Sequence, residues 1–412
     1  MYIRENIVLY QRGVYTRELL IGECEMKKLR LGIIGVGKMG RFHLKNVVSG
    51  QCPSWEVTAY SGRDPAKLEL CKELCPDAKG FGTAEELMDS GLVDAVLIAV
   101  VHYAHSELAI KAFEKGLHVL IEKPAGVFTS QVMKMNEAAG KSGRKFGIMF
   151  NQRTKPIYSR AREIVRSGQL GELKRVVWMI TDWYRTQHYY DSADWRATWN
   201  GDGGGVLLNQ APHNIDLMTW ICGMPKRIRA FCAFGKYHNI DVDDDVTIYG
   251  EYENGAAATF ITTTGDACGT NRLEISGEKG KLVIEDGKLK LWKLKTSERE
   301  LCFTSQEDTV RPETEYQEYS AEGIDGRIVI LNNFADAILE DAPLIAPGEE
   351  GLNSLNISNA AYLSTWTDDW VDIPVNAEMF EKYLAERCKK EKAENDSVVV
   401  SEAAEKLCKK WK

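Results

Sequence analysis

The sequence predicts a two-domain α/β protein in which a doubly wound parallel sheet precedes a mostly antiparallel sheet. Over residues 27–150, short apolar runs alternate with helical stretches, which is the pattern of strand–helix–strand units. A glycine-rich turn joins the first strand to the first helix. From residue 151 onward, strand-like segments follow one another across short turns, which indicates antiparallel pairing.

The first domain is expected to contain five strands joined by four helices. Its longest apolar run is continuous, as in strands that are buried on both faces of a parallel sheet. Strands are predicted at 29–34, 56–60, 94–101, 118–121 and 145–150, and helices at 40–48, 65–75, 106–115 and 130–140.

The second domain is predicted to be rich in strands, with helices before and after them. Strands are expected at 173–184, 227–234, 245–252, 256–264, 272–276, 281–285 and 288–293, and helices at 157–167, 207–221, 326–340 and 352–366. The chain therefore divides into an N-terminal extension (1–26), a first domain (27–150), a second domain (151–375) and a charged helical tail (376–412). We expect either that Met26 is the natural start or that residues 1–25 are a loosely attached extension, and we expect the helical tail to break near 395–397.

Composition limits the classes of function. The chain has 412 residues, with 52 basic and 60 acidic residues and a net charge of −8, which argues against a nucleic-acid partner. No apolar run has the length of a membrane span and no signal peptide precedes the domains, so a cytoplasmic protein is expected. Cys71 and Cys75 lie four residues apart, but no second ligand pair follows, so no metal site is expected.

The strongest local motif is a Gly-x-Gly-x-x-Gly turn between the first strand and the first helix. Gly35 permits the tight turn, Gly37 lets a pyrophosphate approach the backbone, and Gly40 lets the helix pack against the strand. Lys38 and Met39 open the helix, whose N-terminus attracts phosphate groups. The motif predicts NAD or NADP binding, and the alternative is a purely structural turn.

The end of the second strand is expected to contact the ribose of the cofactor. An acidic residue there favours NAD, and an arginine accommodates the 2′-phosphate of NADP. Ser61 and Gly62 occupy this position here, and Arg63 follows, which favours NADP. In the alternative interpretation, Arg63 is a solvated turn residue and Asp64 caps the next helix.

Two further segments carry candidate polar groups. Glu122 and Lys123 directly follow a buried strand, at the edge of the sheet where ligands bind. A desolvated lysine there can donate a hydrogen bond to a substrate hydroxyl, although a surface Glu-Lys pair is an equal alternative. Asn209 and His213 lie one helical turn apart after three glycines, and Pro212 between them permits either a kinked helix or a fresh helix start. His213 is the natural general base. The alternative is a histidine packed in a helix interface, which is the more usual role when no other candidate group is nearby.

Aromatic and basic residues precede the three glycines. Trp195 can stack on a sugar ring and Arg196 can donate to hydroxyl groups, and Tyr184 belongs to a polar aromatic stretch that could line the same cleft. His102 and His105 follow the strand at 94–101. We favour capping and packing roles for both histidines, while His102 stays a candidate for cofactor contact.

These motifs together resemble the glucose–fructose oxidoreductase/inositol dehydrogenase (Gfo/Idh/MocA) family from about residue 28 to residue 374. The resemblance implies a Rossmann domain followed by a C-terminal α/β domain with a large, mostly antiparallel open sheet. That domain would bind the substrate and form a homo-oligomer, a dimer or tetramer, through its sheet. The resemblance also implies catalytic roles for Lys123 and His213. Asn209 departs from the aspartate of many members, and Val100–His102 depart from a usual Thr-Pro-Asn loop.

The predicted activity is the NAD(P)-dependent transfer of a hydride between nicotinamide and a secondary hydroxyl of a sugar or glycoside. The Asn-Gln-Ala-Pro-His segment is similar to that of members acting on sugars, which points to oxidation at carbon 3. One alternative is a nicotinamide-dependent glycosidase that regenerates its cofactor in every cycle. The other is a non-catalytic sugar or dinucleotide sensor, against which the presence of both Lys123 and His213 argues.

Overall fold

The computed structural model describes residues 28–398. The predicted extension at 1–26 and the end of the predicted tail at 399–412 lie outside the described residues. Within residues 28–398, no helix combines the length and apolar character that crossing a bilayer requires.

The first domain is built on a six-stranded, fully parallel sheet with the order β3-β2-β1-β4-β5-β6. The strands are β1 Leu29–Ile34, β2 Trp55–Ser61, β3 Lys79–Phe81, β4 Ala95–Ile98, β5 His118–Ile121 and β6 Phe146–Ile148, and the helices are α1 Lys38–Val48, α2 Pro65–Leu74, α3 Ala84–Asp89, α4 His105–Glu114 and α5 Thr129–Ser142. This arrangement confirms the predicted doubly wound sheet. Strand order reverses between β1 and β4, and ligands bind in the crevice at such a reversal.

The second sheet has nine strands in the order β14-β13-β12-β11-β7-β10-β9-β8-β15. Its strands are β7 Leu173–Ile180, β8 Arg227–Phe234, β9 Asp243–Glu251, β10 Ala257–Thr263, β11 Asn271–Gly277, β12 Gly280–Glu285, β13 Lys288–Leu294, β14 Thr314–Ser320 and β15 Val371–Asp372. Among the described strands of this sheet, β7 and β10 are the only parallel pair, which confirms the mostly antiparallel sheet.

The remaining helices surround this sheet or connect it to the first domain. They are α6 Pro156–Arg166, α7 Gln187–Tyr190, α8 Val206–Asn209, α9 Pro212–Cys222, α10 Glu298–Thr304, α11 Gly326–Glu340, α12 Gly351–Thr367 and α13 Ala377–Val398. A buried polar contact joins the two domains, because the Trp55 indole donates to the carbonyl of Leu331. Directly after the first domain, Arg153 donates to Asp216 at 2.6 and 2.9 Å and to Glu350 at 2.5 Å.

Several predicted bounds were wrong. The helix expected at 207–221 is two helices, because Pro212 begins α9 and cannot donate a helical hydrogen bond to α8. Strand β7 ends at Ile180, before the polar stretch that the prediction included. Helix α13 continues through 395–397, since the cost of Asn or Ser in a helix is below about 1 kcal/mol per residue and does not by itself end one.

The prediction also missed two small elements of the first domain. Strand β3 has only three residues, too few for an alternating pattern to be visible. Helix α3 did carry a signal, because Thr83 and Glu86 form a capping box in which each side chain accepts from the other residue's backbone N–H.

Candidate active site

The glycine turn has the geometry that its motif predicts. Gly35 has a φ of +94°, and its N–H donates to the carbonyl of Ser61 across the sheet. A Cβ on Gly40 would lie 1.9 Å from the Gly35 carbonyl oxygen, whereas a Cβ on Gly37 would meet no atom of the described chain within 4 Å. Gly37 therefore leaves open space at the N-terminus of α1, where the N–H groups of Lys38 and Met39 begin the helix.

The carboxyl end of β2 adjoins this turn. Ser61 is buried, and a Cβ on Gly62 would lie 2.6 Å from the Val36 side chain in the glycine turn. The Asp64 carboxylate caps α2 by accepting from the Ala66 N–H at 3.0 Å, as one interpretation of the sequence expected. Arg63 is exposed beside it. The strand end thus offers a cation and a hydroxyl, whereas the Asp64 carboxylate caps the helix and pairs with Lys67.

Glu122 connects the end of β5 to helix α1. Its Oε1 lies 2.7 Å from Nε2 of His43, whose side chain is fully buried. Burial opposes the charged carboxylate, but the His43 hydrogen bond and the nearby charges of His43 and Lys123 lower the pKa of Glu122 to about 2. This carboxylate therefore links the lysine loop to α1, and a contact of Glu122 with the cofactor stays a prediction.

Lys123 lies between the two domains. Its Nζ donates to the backbone carbonyl of Asn209 at 2.7 Å, so the last residue of α8 fixes the ammonium group. Burial lowers the pKa of Lys123, while the neighbouring carboxylates of Glu122 and Asp202 act in the opposite direction. The surface alternative for the Glu-Lys pair is wrong, because Glu122 is buried and Lys123 is half-buried with its ammonium group bonded to the second domain.

His213 occupies the first turn of α9, one turn beyond Asn209. Burial and the positive charge of Lys123 lower the pKa of His213 to about 3, so the imidazole is neutral at physiological pH. Its Nδ1 is buried and has no hydrogen-bond partner among residues 28–398. The structure therefore brings a constrained ammonium group and a neutral imidazole together at the carboxyl edge of the parallel sheet.

The three glycines at 203–205 pack tightly against other segments of the protein. A Cβ on Gly204 would lie 2.3 Å from the Tyr362 hydroxyl, and one on Gly205 would lie 1.9 Å from the Asp243 carbonyl. Asp243 also accepts from the N–H groups of Gly205 and Leu207 at 2.6 and 2.9 Å. These glycines pack the start of α8 against β9 and α12.

An acidic residue that the sequence analysis did not single out lies in this site. Asp202 directly precedes the three glycines and is 2% exposed. Its Oδ2 accepts from the Ala197 N–H at 2.8 Å. Its backbone carbonyl lies 2.9 Å from Nδ1 of His102. The sequence signal that could have identified Asp202 is its position directly before three glycines, which pack closely against other segments.

The two histidines after β4 take different places. His102 contacts Asp202 and therefore faces the candidate site. His105 is fully buried, with its ring nitrogens 2.8 Å from the carbonyl of Pro124 and 3.1 Å from that of Val100. Neither histidine caps the adjoining helical segment through its side chain. The packing prediction is confirmed for His105, and the capping prediction is wrong for both.

A cluster of aromatic rings and guanidinium groups continues the site. The Arg196 guanidinium lies over the rings of Tyr189 and Trp195, 4.4 and 4.6 Å from their centroids, and donates to the Tyr189 hydroxyl at 2.7 Å. Trp195 is 39% exposed, so a face of its ring is available to a ligand. Tyr184 is 47% exposed and makes no side-chain hydrogen bond to the other candidates among the described residues.

The loop that carries these residues is held by the C-terminal helix. Glu391 of α13 is 4% exposed and accepts from the backbone N–H groups of Trp199 and Asn200 at 2.7 and 2.9 Å. The Tyr103 hydroxyl donates to the Trp199 carbonyl at 2.5 Å. Both domains and the last described helix therefore position this loop.

A parallel sheet with this glycine turn, and with polar groups at the adjacent carboxyl edge, defines a dinucleotide-binding protein. Residues 29–150 match the oxidoreductase family with an NAD-binding Rossmann fold, and residues 158–283 match the GFO/IDH/MocA C-terminal domain. The chain belongs to the GFO/IDH/MocA family of NAD-binding oxidoreductases.

Individual relatives agree with this assignment. The chain is 25% identical over 399 residues to levoglucosan dehydrogenase of Pseudarthrobacter phenanthrenivorans, covering 85% of this chain and 99% of that one. It is 27% identical over 259 residues to the rhizopine catabolism protein MocA of Rhizobium meliloti, covering 61% and 78%. The WlbA dehydrogenase of Bordetella pertussis, solved with NADH and UDP-GlcNAcA, has the same fold, with a TM-score of 0.72, 22% identity and coverage of 85% and 100%.

Proposed function

We propose that this oxidoreductase transfers a hydride between nicotinamide and a secondary hydroxyl of a sugar or glycoside. The observation that carries the proposal is a lysine held by the Asn209 carbonyl, close enough to His213 for its charge to help keep the imidazole neutral. Two relatives support a polyol substrate by their names, levoglucosan dehydrogenase and inositol 2-dehydrogenase.

Each candidate residue has a role in this proposal. The nicotinamide cofactor supplies or accepts the hydride when it is bound. Lys123 donates a hydrogen bond to the substrate oxygen and stabilises negative charge on it. His213 takes the hydroxyl proton, and because burial opposes the resulting imidazolium, we expect proton transfer in concert with loss of the hydride. Trp195 stacks on the sugar ring, and Arg196 and Asn209 orient its hydroxyl groups.

The test uses the purified protein with NAD or NADP and a panel of sugars and glycosides, read at the near-ultraviolet band of reduced nicotinamide. A rise in this band with one substrate supports the proposal. Release of an aglycone with no net cofactor reduction would replace it by a redox-cycling glycosidase. Cofactor and sugar binding without any turnover would replace it by a sensor.

We also propose carbon 3 as the oxidised position, on the similarity of the segment from Asn209 to His213 to sugar-oxidising members. Product analysis by NMR decides this point, because a 3-keto sugar lacks the carbon-bound hydrogen at that carbon. A ketone at another carbon contradicts the position while leaving the dehydrogenase activity intact.

The proposed cofactor is NADP in preference to NAD. Arg63 is exposed at the end of β2, where the 2′-phosphate of NADP would lie, and the carboxylate of the adjacent Asp64 caps α2. Guanidinium groups bind phosphate through paired hydrogen bonds. A lower KM for NADP than for NAD is therefore expected, and the reverse ratio would contradict the proposal.

The exposed face of the second sheet is proposed to form a homo-oligomer, a dimer or tetramer. Phe231, Thr247, Ile261 and Met179 form one row across β8, β9, β10 and β7. Phe231 is 61% exposed and Met179 is 37% exposed. Neighbouring positions of β8 and β9 point to the opposite face and are buried. An exposed apolar row of this kind is typical of an interface.

A further inference from the structure

The buried Asp202 carboxylate is only partly satisfied by hydrogen bonds. Oδ2 accepts from the Ala197 N–H, whereas Oδ1 is buried and has no hydrogen-bond partner within the described part of the chain. Burying a carboxylate without full pairing is unfavourable. A neutral acceptor would serve Ala197 equally well, so the negative charge itself needs an explanation.

The explanation lies in the groups that surround Asp202. The Asn209 side-chain amide lies 3.5 Å from Oδ2, and the Asn209 backbone carbonyl accepts from Lys123. Nδ1 of His102 lies 3.8 Å from Oδ1. Arg196 of the same loop is the other cation whose charge acts on Asp202. Asp202 therefore adjoins the segment that holds Lys123 and the residues that face the ligand.

The charges around Lys123 show why a second carboxylate matters there. Glu122 is already bonded to His43, and Arg185 disfavours the ammonium form of Lys123. Besides Glu122, the Asp202 carboxylate favours the ammonium form of Lys123. Burial raises the pKa of Asp202 itself to about 6, against the opposing effects of the Ala197 N–H, Arg196 and Lys123.

We propose that Asp202 is a positioning residue of the oxidoreductase reaction, which keeps Lys123 charged and aligns the Trp195–Arg196 loop with it. This inference rests on the proposed function. The Ala197 hydrogen bond fixes the loop at a residue with a φ of +57°, directly after Arg196. One carboxylate thus couples the geometry of the sugar-binding loop to the charge of the lysine.

The test compares Asp202→Asn with wild type, using Asp194→Asn as the matched control. Asn at 202 retains an oxygen for the Ala197 N–H but removes the charge, and Asp194 is an exposed acid of the same loop. Removing the negative charge destabilises the Lys123 ammonium, so the alkaline limb of the kcat/KM profile moves to lower pH. The value of kcat/KM falls by about 10- to 100-fold, while the melting temperature stays close to that of wild type.

A second measurement does not depend on turnover. NMR titration of ε-labelled lysines, with Lys123→Gln to assign the signal, reports the ionisation of Lys123 directly. In Asp202→Asn the Lys123 signal titrates at lower pH than in wild type. An unchanged titration overturns the inference about Asp202, whereas the expected titration in a protein that oxidises no sugar overturns only the proposed function.

Discussion

Glu391 offers a direct test of how the C-terminal helix supports the candidate site. We predict that Glu391→Ala destabilises the protein and weakens substrate binding more than cofactor binding. The Glu391 carboxylate accepts three hydrogen bonds. The donors are the backbone N–H groups of Trp199 and Asn200 and the Asn200 side-chain amide, at 2.7, 2.9 and 2.5 Å. The loop that follows Trp195 and Arg196 would lose all three contacts.

The magnitude follows from the environment of each bond. The bond to Trp199 is buried, so its N–H would have no water to replace the carboxylate, whereas the Asn200 groups are partly exposed and can be hydrated. A hydrogen bond to a charged group contributes about 1.5–3 kcal/mol. We therefore expect a loss of about 3 kcal/mol in the free energy of unfolding, most of it from the Trp199 bond.

Thermal and chemical denaturation measure the stability change, and steady-state kinetics separate the KM values of sugar and cofactor. Glu386→Ala is the matched control, because Glu386 is an exposed acid on the same helix and such changes are within about 0.5 kcal/mol. Equal stabilities of the two variants, or equal rises in both KM values for Glu391→Ala, would refute the reasoning.

Three further predictions concern the candidate site and the sheet. His213→Ala is expected to lower kcat at least about 100-fold without changing cofactor affinity measured by nicotinamide fluorescence. In wild type, burial lowers the pKa of His213 to about 3, so protonation of His213 should limit turnover only as the pH falls toward that value. A loss of activity near neutral pH that is traced to His213 would contradict this prediction. Arg63→Ala is expected to raise the KM for NADP selectively, since it removes an exposed cation two residues after Ser61 at the strand end. Equal changes for NADP and NAD would count against the 2′-phosphate contact. Phe231→Asp is expected to dissociate the proposed oligomer, as measured by light scattering. The control is Phe303→Asp, at a residue that is 80% exposed outside the sheet, and it should leave the oligomer intact. A monomeric wild type would contradict the proposed interface.

Local patterns determined the parts of the protein whose geometry depends on neighbours in sequence. The glycine turn was predictable because Gly35, Gly37 and Gly40 meet steric demands set within a few residues. The alternation of strands and helices was predictable for the same reason, since burial follows the repeat of each element. The break before Pro212 was an open alternative in the sequence, and the structure decided it.

Lys123 and His213 were identifiable as candidates by residue type and position. Their protonation states were not, because burial and neighbouring charges determine them. The sequence likewise indicated Arg63 and Trp195 but could not say which faces of these side chains are accessible. Tyr184 became a candidate through its place in a polar aromatic stretch, and its exposed side chain makes no hydrogen bond to the other candidates in the described residues.

The pattern of residues along the chain was sufficient to predict the fold class and the glycine turn, and to mark Lys123 and His213 as candidate polar side chains. Only the tertiary structure paired Glu122 with His43, 79 residues away, and the backbone of Trp199 with Glu391, 192 residues away. It also placed Asp202 beside the segment that holds Lys123. Such pairs leave no periodic signal, because a hydrogen bond between distant segments depends on where the folded chain brings them and not on their spacing in sequence.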